Sequence, residues 1–79
     1  MVSVTNVEPL DDYILKLEFN NTEIKYFDMK SYLDHGIFKD LRDISIFGSV
    51  KLFFDTINWS NGADICPDIL YEKSIPNHN

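Results

Sequence analysis

The sequence predicts a small α+β domain: an antiparallel sheet of about five strands, formed by two hairpins and an N-terminal strand, packed with two or three short helices. The first observation is a period of two from Tyr13 to Phe19, in which every second residue from Tyr13 is apolar and Lys16 and Glu18 share the other face with Ile14. The second is a similar alternation from Val50 to Phe54, close before Trp59. The third is Pro67, which is placed to open a helix.

Length and composition predict one domain over residues 1–73. The chain has 79 residues, of which 44% are hydrophobic and 14% aromatic, enough for a small core without disulfides. From Ser74 onward the sequence lacks apolar anchors, so residues 74–79 are expected to fray.

The N-terminal half reads as a short strand over residues 2–7, a turn around Pro9 and a hairpin. A two-residue loop at Asn20-Asn21 would place like charges opposite each other. A four-residue loop from Asn20 to Glu23 would pair Glu18 with Lys25 and Phe19 with Ile24. Opposed like charges are destabilising, so the longer loop is favoured.

Two short helical turns are predicted next. Asp28 is placed to cap a helix over residues 29–33, and Gly36 can take the left-handed conformation that ends it. The spacing of apolar residues predicts a second turn, α or 3₁₀, near residues 38–42. Both are too short to be stable without the sheet.

A second hairpin is predicted to turn at Phe54-Asp55. This turn places Leu52 opposite Ile57 and so opposes apolar to apolar. The segment before Gly48 is interpreted as an approach or bulge. Asn61-Gly62 provides a turn, and Pro67 opens a helix that ends at Glu72 or Lys73.

Charge and cysteine content indicate a cytoplasmic protein that does not bind nucleic acid directly. Thirteen acidic and seven basic side chains give a net charge of −6. Nucleic-acid binding normally needs lysine and arginine side chains to contact phosphates, and Arg42 is the only arginine. Cys66 is a lone cysteine, and no leader-like or membrane-spanning apolar run is present.

No catalytic, metal or cofactor site is predicted. His35, His78 and Cys66 are too scattered for zinc, and Cys66 has no nearby base to activate it. Asp64, Asp68 and Glu72 recur every four residues, as a magnesium set would, but acidic residues near a helix N-terminus are stabilising for structural reasons alone. The side chain of Trp59 is predicted to be mostly buried in the core, with a structural role.

The C-terminal run resembles the hallmark of a bacterial family catalogued as domain of unknown function 2442, Ile-x-Trp-x-Asn-Gly-x-Asp-x-x-Pro-x-x-Leu-Tyr. It begins at Ile57, and its motif residues, which are also the candidate partner-binding residues, are Trp59, Asn61, Gly62, Asp64, Pro67, Leu70 and Tyr71. Val7-x-Pro9-Leu10 and Phe38-x-x-Leu41-x-Asp43 match as well, whereas Asn21-Thr22 stands where members often carry glycine.

The resemblance implies a small α+β domain with an antiparallel sheet and no established catalytic residues. It also implies that members occur alone or joined to a helix-turn-helix domain, and are often encoded beside a small protein in an arrangement like a toxin-antitoxin pair. No helix-turn-helix segment follows Tyr71.

Three functional hypotheses follow. The leading one is a non-enzymatic interaction module that binds a small protein partner, as an antitoxin-like half of a two-gene module; its acidity would suit a basic partner. The alternatives are a small-molecule or peptide sensor with a cleft near Trp59, Asp64 and Tyr71, and a metal-dependent hydrolase or nuclease. An edge strand over residues 2–7 could also form a homodimer.

Overall fold

The computed structural model describes residues 2–76, which contain six strands, two α-helices and three 3₁₀ segments. The strands are β1 (Val4–Leu10), β2 (Ile14–Phe19), β3 (Ile24–Asp28), β4 (Lys51–Phe53), β5 (Thr56–Asn58) and β6 (Asp64–Ile65). The helices are α1 (Ile44–Phe47) and α2 (Pro67–Lys73), and the 3₁₀ segments are Asp11–Tyr13, Lys30–Tyr32 and Gly36–Arg42.

The strands form two antiparallel sheets of three strands each, β1-β2-β3 and β4-β5-β6. The α+β class and the antiparallel pairing are confirmed, but the prediction of one sheet of about five strands is wrong. Pro9 lacks an N–H, which confines β1 to a sheet edge. The β4–β5 hairpin therefore meets β1 through a hydrogen bond from the Val4 N–H to the Asp55 carbonyl oxygen (2.8 Å) instead of a ladder. It pairs with β6, whose two residues are too few to show alternation.

The first hairpin has a three-residue loop, so neither predicted loop occurs. Glu18 pairs with Ile24, and the N–H of Phe19 donates to the carbonyl oxygen of Glu23 at 3.0 Å. Thr22 closes the loop with φ of 70°. This register places Phe27 opposite Leu15, and both are buried. Burial of whole apolar side chains outweighs the few tenths of a kcal/mol, up to about 1, expected from cross-strand charges.

The same register determines which side chains of β3 face inward. Lys25 lies opposite Leu17 and therefore shares the core face of the sheet, as does Glu23 next to Phe19. A register shifted by one residue would have turned both charged side chains to the other face. They now lie at the rim of the core face, where α2 packs.

The connection between the two sheets is largely helical. Asp28 accepts a hydrogen bond from the Lys30 N–H at 2.8 Å, but the turn that follows is 3₁₀. Gly36 takes the predicted left-handed conformation, with φ of 51°, and is the first residue of the next 3₁₀ segment. The bulge expected before Gly48 is instead α1, which is capped by a hydrogen bond from the Ser45 N–H to the Asp43 carboxylate. With one turn, α1 is too short to produce a periodic pattern.

The second hairpin has the predicted register, with Leu52 opposite Ile57 and a two-residue turn at Phe54 and Asp55. Phe54 has φ of 55° and is 89% exposed. The inner faces of both sheets, α2 and the connecting segments enclose one apolar core that includes Phe19, Leu41 and Trp59. The largest of its side chains, Trp59, is 1% exposed, which confirms that it is buried.

The segment after α2 returns to the first sheet. Ser74 is buried, and Ile75 exchanges two backbone hydrogen bonds with Tyr26 of β3, at 2.7 and 2.9 Å. Ile75, within the tail predicted to fray, thus continues the pairing at the β3 edge. Residues 77–79 of the predicted tail lie outside the described residues. No helix within residues 2–76 is long and apolar enough to cross a membrane.

Candidate functional site

The first part of the motif builds a tight turn around a buried indole. The Trp59 Nε1–H donates to the carbonyl oxygen of Phe47 at 3.0 Å, and its backbone N–H donates to that of Ala63 at 3.0 Å. Gly62 has φ of 91°, a conformation that glycine adopts without a Cβ penalty. Trp59 and Gly62 therefore hold β5, β6 and α1 together instead of lining a surface.

Asn61 joins this turn to the connecting segment. Its Nδ2 donates to the Ile37 carbonyl oxygen and to the Asp40 carboxylate, both at 3.2 Å, while its Oδ1 accepts from the Ala63 N–H at 3.1 Å. Donors and acceptor are all used internally. The side chain thus fixes the turn against the Gly36–Arg42 segment.

The remaining motif residues have different positions. Pro67 opens α2 as predicted, and Leu70 is fully buried beneath the helix. Asp64 is exposed in β6, where it pairs with Asn58. Tyr71 is half-buried and is the motif side chain that faces both the core and a surface groove.

Tyr71 is held in one orientation by the first hairpin. Its ring contacts Phe19 edge-on, with centroids 5.0 Å apart and planes at 89°. Its hydroxyl donates to the Glu23 carboxylate. Lys25 places Nζ 4.0 Å from the ring centroid and donates to the Tyr71 carbonyl oxygen at 2.7 Å. Charged and aromatic groups that are 46 to 52 residues apart in the chain thus form one cluster.

The hydrogen bonds of this cluster shift two acid-base equilibria. The pKa of Glu23 is held below its usual value, chiefly because its carboxylate accepts from the Tyr71 hydroxyl and from Asn21. The same bond raises the pKa of Tyr71, because ionised Tyr71 could no longer donate to Glu23. The cluster is therefore most stable with Glu23 ionised and Tyr71 neutral.

An open groove runs beside this cluster between α2 and the first hairpin. It is lined by Val2, Lys25, Asp68, Tyr71 and Glu72. Of the three carboxylates predicted to share a helix flank, the structure brings Asp68 and Glu72 to the groove, whereas Asp64 precedes the helix and is not part of the lining. Within residues 2–76, no three His, Cys, Asp or Glu side chains are grouped to hold a metal ion.

The other chemistry-bearing candidates lie apart from the groove lining. Cys66 is exposed at the start of α2, and His35 is exposed before Gly36. His78 lies outside the described residues. Trp59 is buried, and of the three residues expected near a cleft, Trp59, Asp64 and Tyr71, only Tyr71 lines this groove.

Two sets of surface residues were missed in the sequence. Glu23 and Lys25 could not be assigned to Tyr71, because their orientation depends on the register of the first hairpin. Phe53 and Phe54 were recognised as hairpin residues but not as a surface feature, although consecutive phenylalanines at a two-residue turn cannot both face the core.

Comparisons with known proteins identify the family. A family model described as "Protein of unknown function (DUF2442)" matches residues 4–76. Comparisons with curated proteins and with solved structures found no match. The matched region extends from the first residue of β1 to the segment that pairs with β3, and thus includes both sheets and α2. The chain therefore belongs to the DUF2442 family.

Proposed function

We propose that this protein is a non-enzymatic interaction module that binds a small basic protein through the groove between α2 and the first hairpin. The observation that carries the proposal is the position of Tyr71, a motif residue, in the wall of a groove with Asp68 and Glu72. Aromatic side chains such as tyrosine are enriched among the residues that dominate binding at protein interfaces.

The cluster supports this role because it holds Tyr71 rigid before any partner arrives. The ring contacts Phe19 and Lys25, and its hydroxyl donates to Glu23, so the side chain is restrained along its whole length. An anchor that is already ordered loses little conformational entropy on binding, so more of its contact energy contributes to affinity.

Charge supports a basic partner. Asp68 and Glu72 are both exposed, and the whole chain carries a net charge of −6. Complementary charge accelerates the encounter of two proteins and discriminates against acidic competitors. Three of the five groove-lining residues are charged, which favours a protein segment over the mostly apolar small molecules that enclosed pockets bind.

The resemblance described above suggests where to find this partner. We propose that it is the product of the neighbouring gene and that the present chain is the antitoxin-like half of the pair. The test is to co-express both proteins, purify them through a tag on one, and measure the dissociation constant by calorimetry.

The variant that examines the groove is Glu72→Lys, because a lysine in the last turn of α2 is compatible with the helix dipole. Its matched control is Glu8→Lys in β1, where the side chain is also exposed and the net charge changes by the same amount. We expect Glu72→Lys to weaken the complex about tenfold, and Glu8→Lys by less than about threefold. Equal effects of both variants would contradict the groove, and failure of the pair to associate would contradict the proposal.

A further inference from the structure

The turn after Trp59 contains the chain's only Asn-Gly pair, Asn61-Gly62, and this pair is chemically labile. The backbone nitrogen of the residue after an asparagine can attack the carboxamide carbon of the asparagine side chain, Cγ, and close a cyclic imide. Glycine allows this attack most readily, because it has no Cβ to shield its nitrogen and its backbone is the least restricted. Every other asparagine that has a successor in the sequence precedes a residue with a side chain.

The folded chain holds both reacting groups away from this attack. The N–H of Gly62 donates to the Trp59 carbonyl oxygen at 3.0 Å, so the proton that has to leave is bound. The Nδ2 of Asn61 donates to the Ile37 carbonyl oxygen and to the Asp40 carboxylate, both at 3.2 Å. Closing the imide turns the carboxamide and removes Nδ2, which breaks these bonds. The reaction therefore requires the turn to open.

Opening makes the pair accessible to water. Gly62 is exposed in the folded chain, and Asn61 is only partly buried. Local openings of a folded chain cost at most as much free energy as global unfolding, and they recur at equilibrium. The rate of the reaction under native conditions is then set by the fraction of chains in which this turn is open.

The product of the reaction does not fit the folded turn. An aspartate at this position has no N–H, so the Ile37 carbonyl oxygen loses its donor. The Asp40 carboxylate, which lies 3.2 Å from Nδ2 of Asn61, would face a second carboxylate in its place, and the two charges repel. The other product, isoaspartate, lengthens the backbone within a turn that is closed by the hydrogen bond from the Trp59 N–H to the Ala63 carbonyl oxygen.

We propose that Asn61-Gly62 is a deamidation site controlled by the fold, which removes opened chains irreversibly from the folded population. In the opened chain, the Gly62 N–H gives its proton to hydroxide, the nitrogen bonds to Cγ of Asn61, and the Cγ–Nδ2 bond breaks. The leaving nitrogen takes a proton from water and departs as ammonia. Water then adds to either carbonyl of the imide and leaves aspartate or isoaspartate. Water is the only co-reactant, and the site is independent of the proposed partner.

The first test compares the full chain in mildly alkaline buffer with and without guanidinium chloride, by peptide mapping in a mass spectrometer over several days. In denaturant, Asn61 should convert before Asn6 and Asn58, which precede a valine and a tryptophan. Without denaturant, conversion at Asn61 should be at least about tenfold slower, because only the opened fraction reacts. Gly62→Ala should slow the conversion several-fold in denaturant, where its effect on folding plays no part.

The second test examines the product through Asn61→Asp. This variant should lower the urea midpoint of unfolding, and the shift should be smaller when Asp40→Asn is present in both chains, because the repulsion between carboxylates is then absent. The matched control is Asn20→Asp, which makes the same chemical change at an exposed side chain. Its Oδ1 accepts from the Ser3 N–H, as a carboxylate also can, so the midpoint should stay nearly unchanged.

Equal rates of conversion at Asn61 in folded and denatured chains would overturn the proposal, because the fold would then not control the reaction. It would also be overturned if Asn6 or Asn58 reacted before Asn61 in denaturant. An Asn61→Asp variant with the midpoint of the wild type, or with the same shift in the presence of Asp40→Asn, would overturn it as well, because the product would then fit the turn or fail there for another reason.

Discussion

Lys25 contacts Tyr71 twice: its Nζ donates to the Tyr71 carbonyl oxygen at 2.7 Å and lies 4.0 Å from the centroid of the Tyr71 ring. One side chain therefore fixes both the backbone of α2 and the orientation of its aromatic residue. The hydroxyl of the same tyrosine donates to Glu23. The first hairpin therefore contacts α2 both at the backbone of Tyr71 and at the far end of its side chain.

The Glu23–Tyr71 hydrogen bond is expected to make a contribution to the free energy of unfolding that is lost in acid. Because the folded pKa of Glu23 lies below its unfolded value, its contribution is complete above about pH 4.3 and is lost as the pH falls through the folded pKa. Tyr71→Phe should therefore flatten the dependence of the urea midpoint on pH between about pH 5 and pH 3.

Tyr32→Phe is the control for this measurement, because Tyr32 packs against Phe27 through its ring and its hydroxyl makes no hydrogen bond within residues 2–76. Its pH profile should run parallel to that of the wild type. Parallel profiles for both variants would show that Tyr71 does not perturb Glu23.

A glycine in the loop of the first hairpin should stabilise the protein. Thr22 has φ of 70°, a conformation that is costly for a β-branched residue, and glycine is preferred at this position of a three-residue hairpin loop. Thr22→Gly should raise the free energy of unfolding by about 1 kcal/mol in urea titrations. Thr22→Ala keeps the unfavourable φ, so it should not stabilise; an equal gain in both variants would contradict the backbone explanation.

Replacing the buried indole of Trp59 should strongly destabilise the protein. Trp59→Phe removes the N–H that satisfies the Phe47 carbonyl oxygen and leaves a cavity in the core. The free energy of unfolding should fall by about 2–4 kcal/mol, measured by circular dichroism in urea. Ile44→Val, at a side chain that is 65% exposed, should change it by less than about 0.5 kcal/mol. A Trp59→Phe variant as stable as the wild type would show that the indole is not tightly packed.

In the turn after Trp59, the stability of variants at Gly62 should depend on backbone conformation alone. A Cβ at Gly62 would meet no atom within 4 Å, so the cost of Gly62→Ala comes from φ of 91° and should be about 1–2 kcal/mol. Gly62→Asn should cost less, because asparagine tolerates positive φ. Thermal melts of the three proteins should therefore rank glycine, asparagine and alanine in that order.

The sequence was sufficient for elements whose signals agree with one another. Leu52 opposite Ile57, Pro67 at the start of α2 and the burial of Trp59 were all predicted, because apolar pairing, helix-end chemistry and residue size each indicate the same arrangement. These are local signals, and the structure confirms them.

Other features depend on competition between distant parts of the chain. The register of the first hairpin was predicted from charge pairs, whereas the burial of Phe27 determines it. The separation into two sheets depends on Pro9 and on a two-residue strand that no periodic pattern reveals. Tyr71 was predicted as a candidate, but its contacts with Glu23 and Lys25 required the correct register of β3.

The attachment of Ile75 to Tyr26 has a practical consequence for anyone preparing fragments of this protein. The composition predicts a frayed tail and so suggests truncation before Ser74. Such a truncation would expose the N–H and C=O of Tyr26 on the outer side of β3. Exposed strand margins of this kind recruit other chains into disordered aggregates. A shortened fragment should therefore precipitate at concentrations where the longer one remains dispersed.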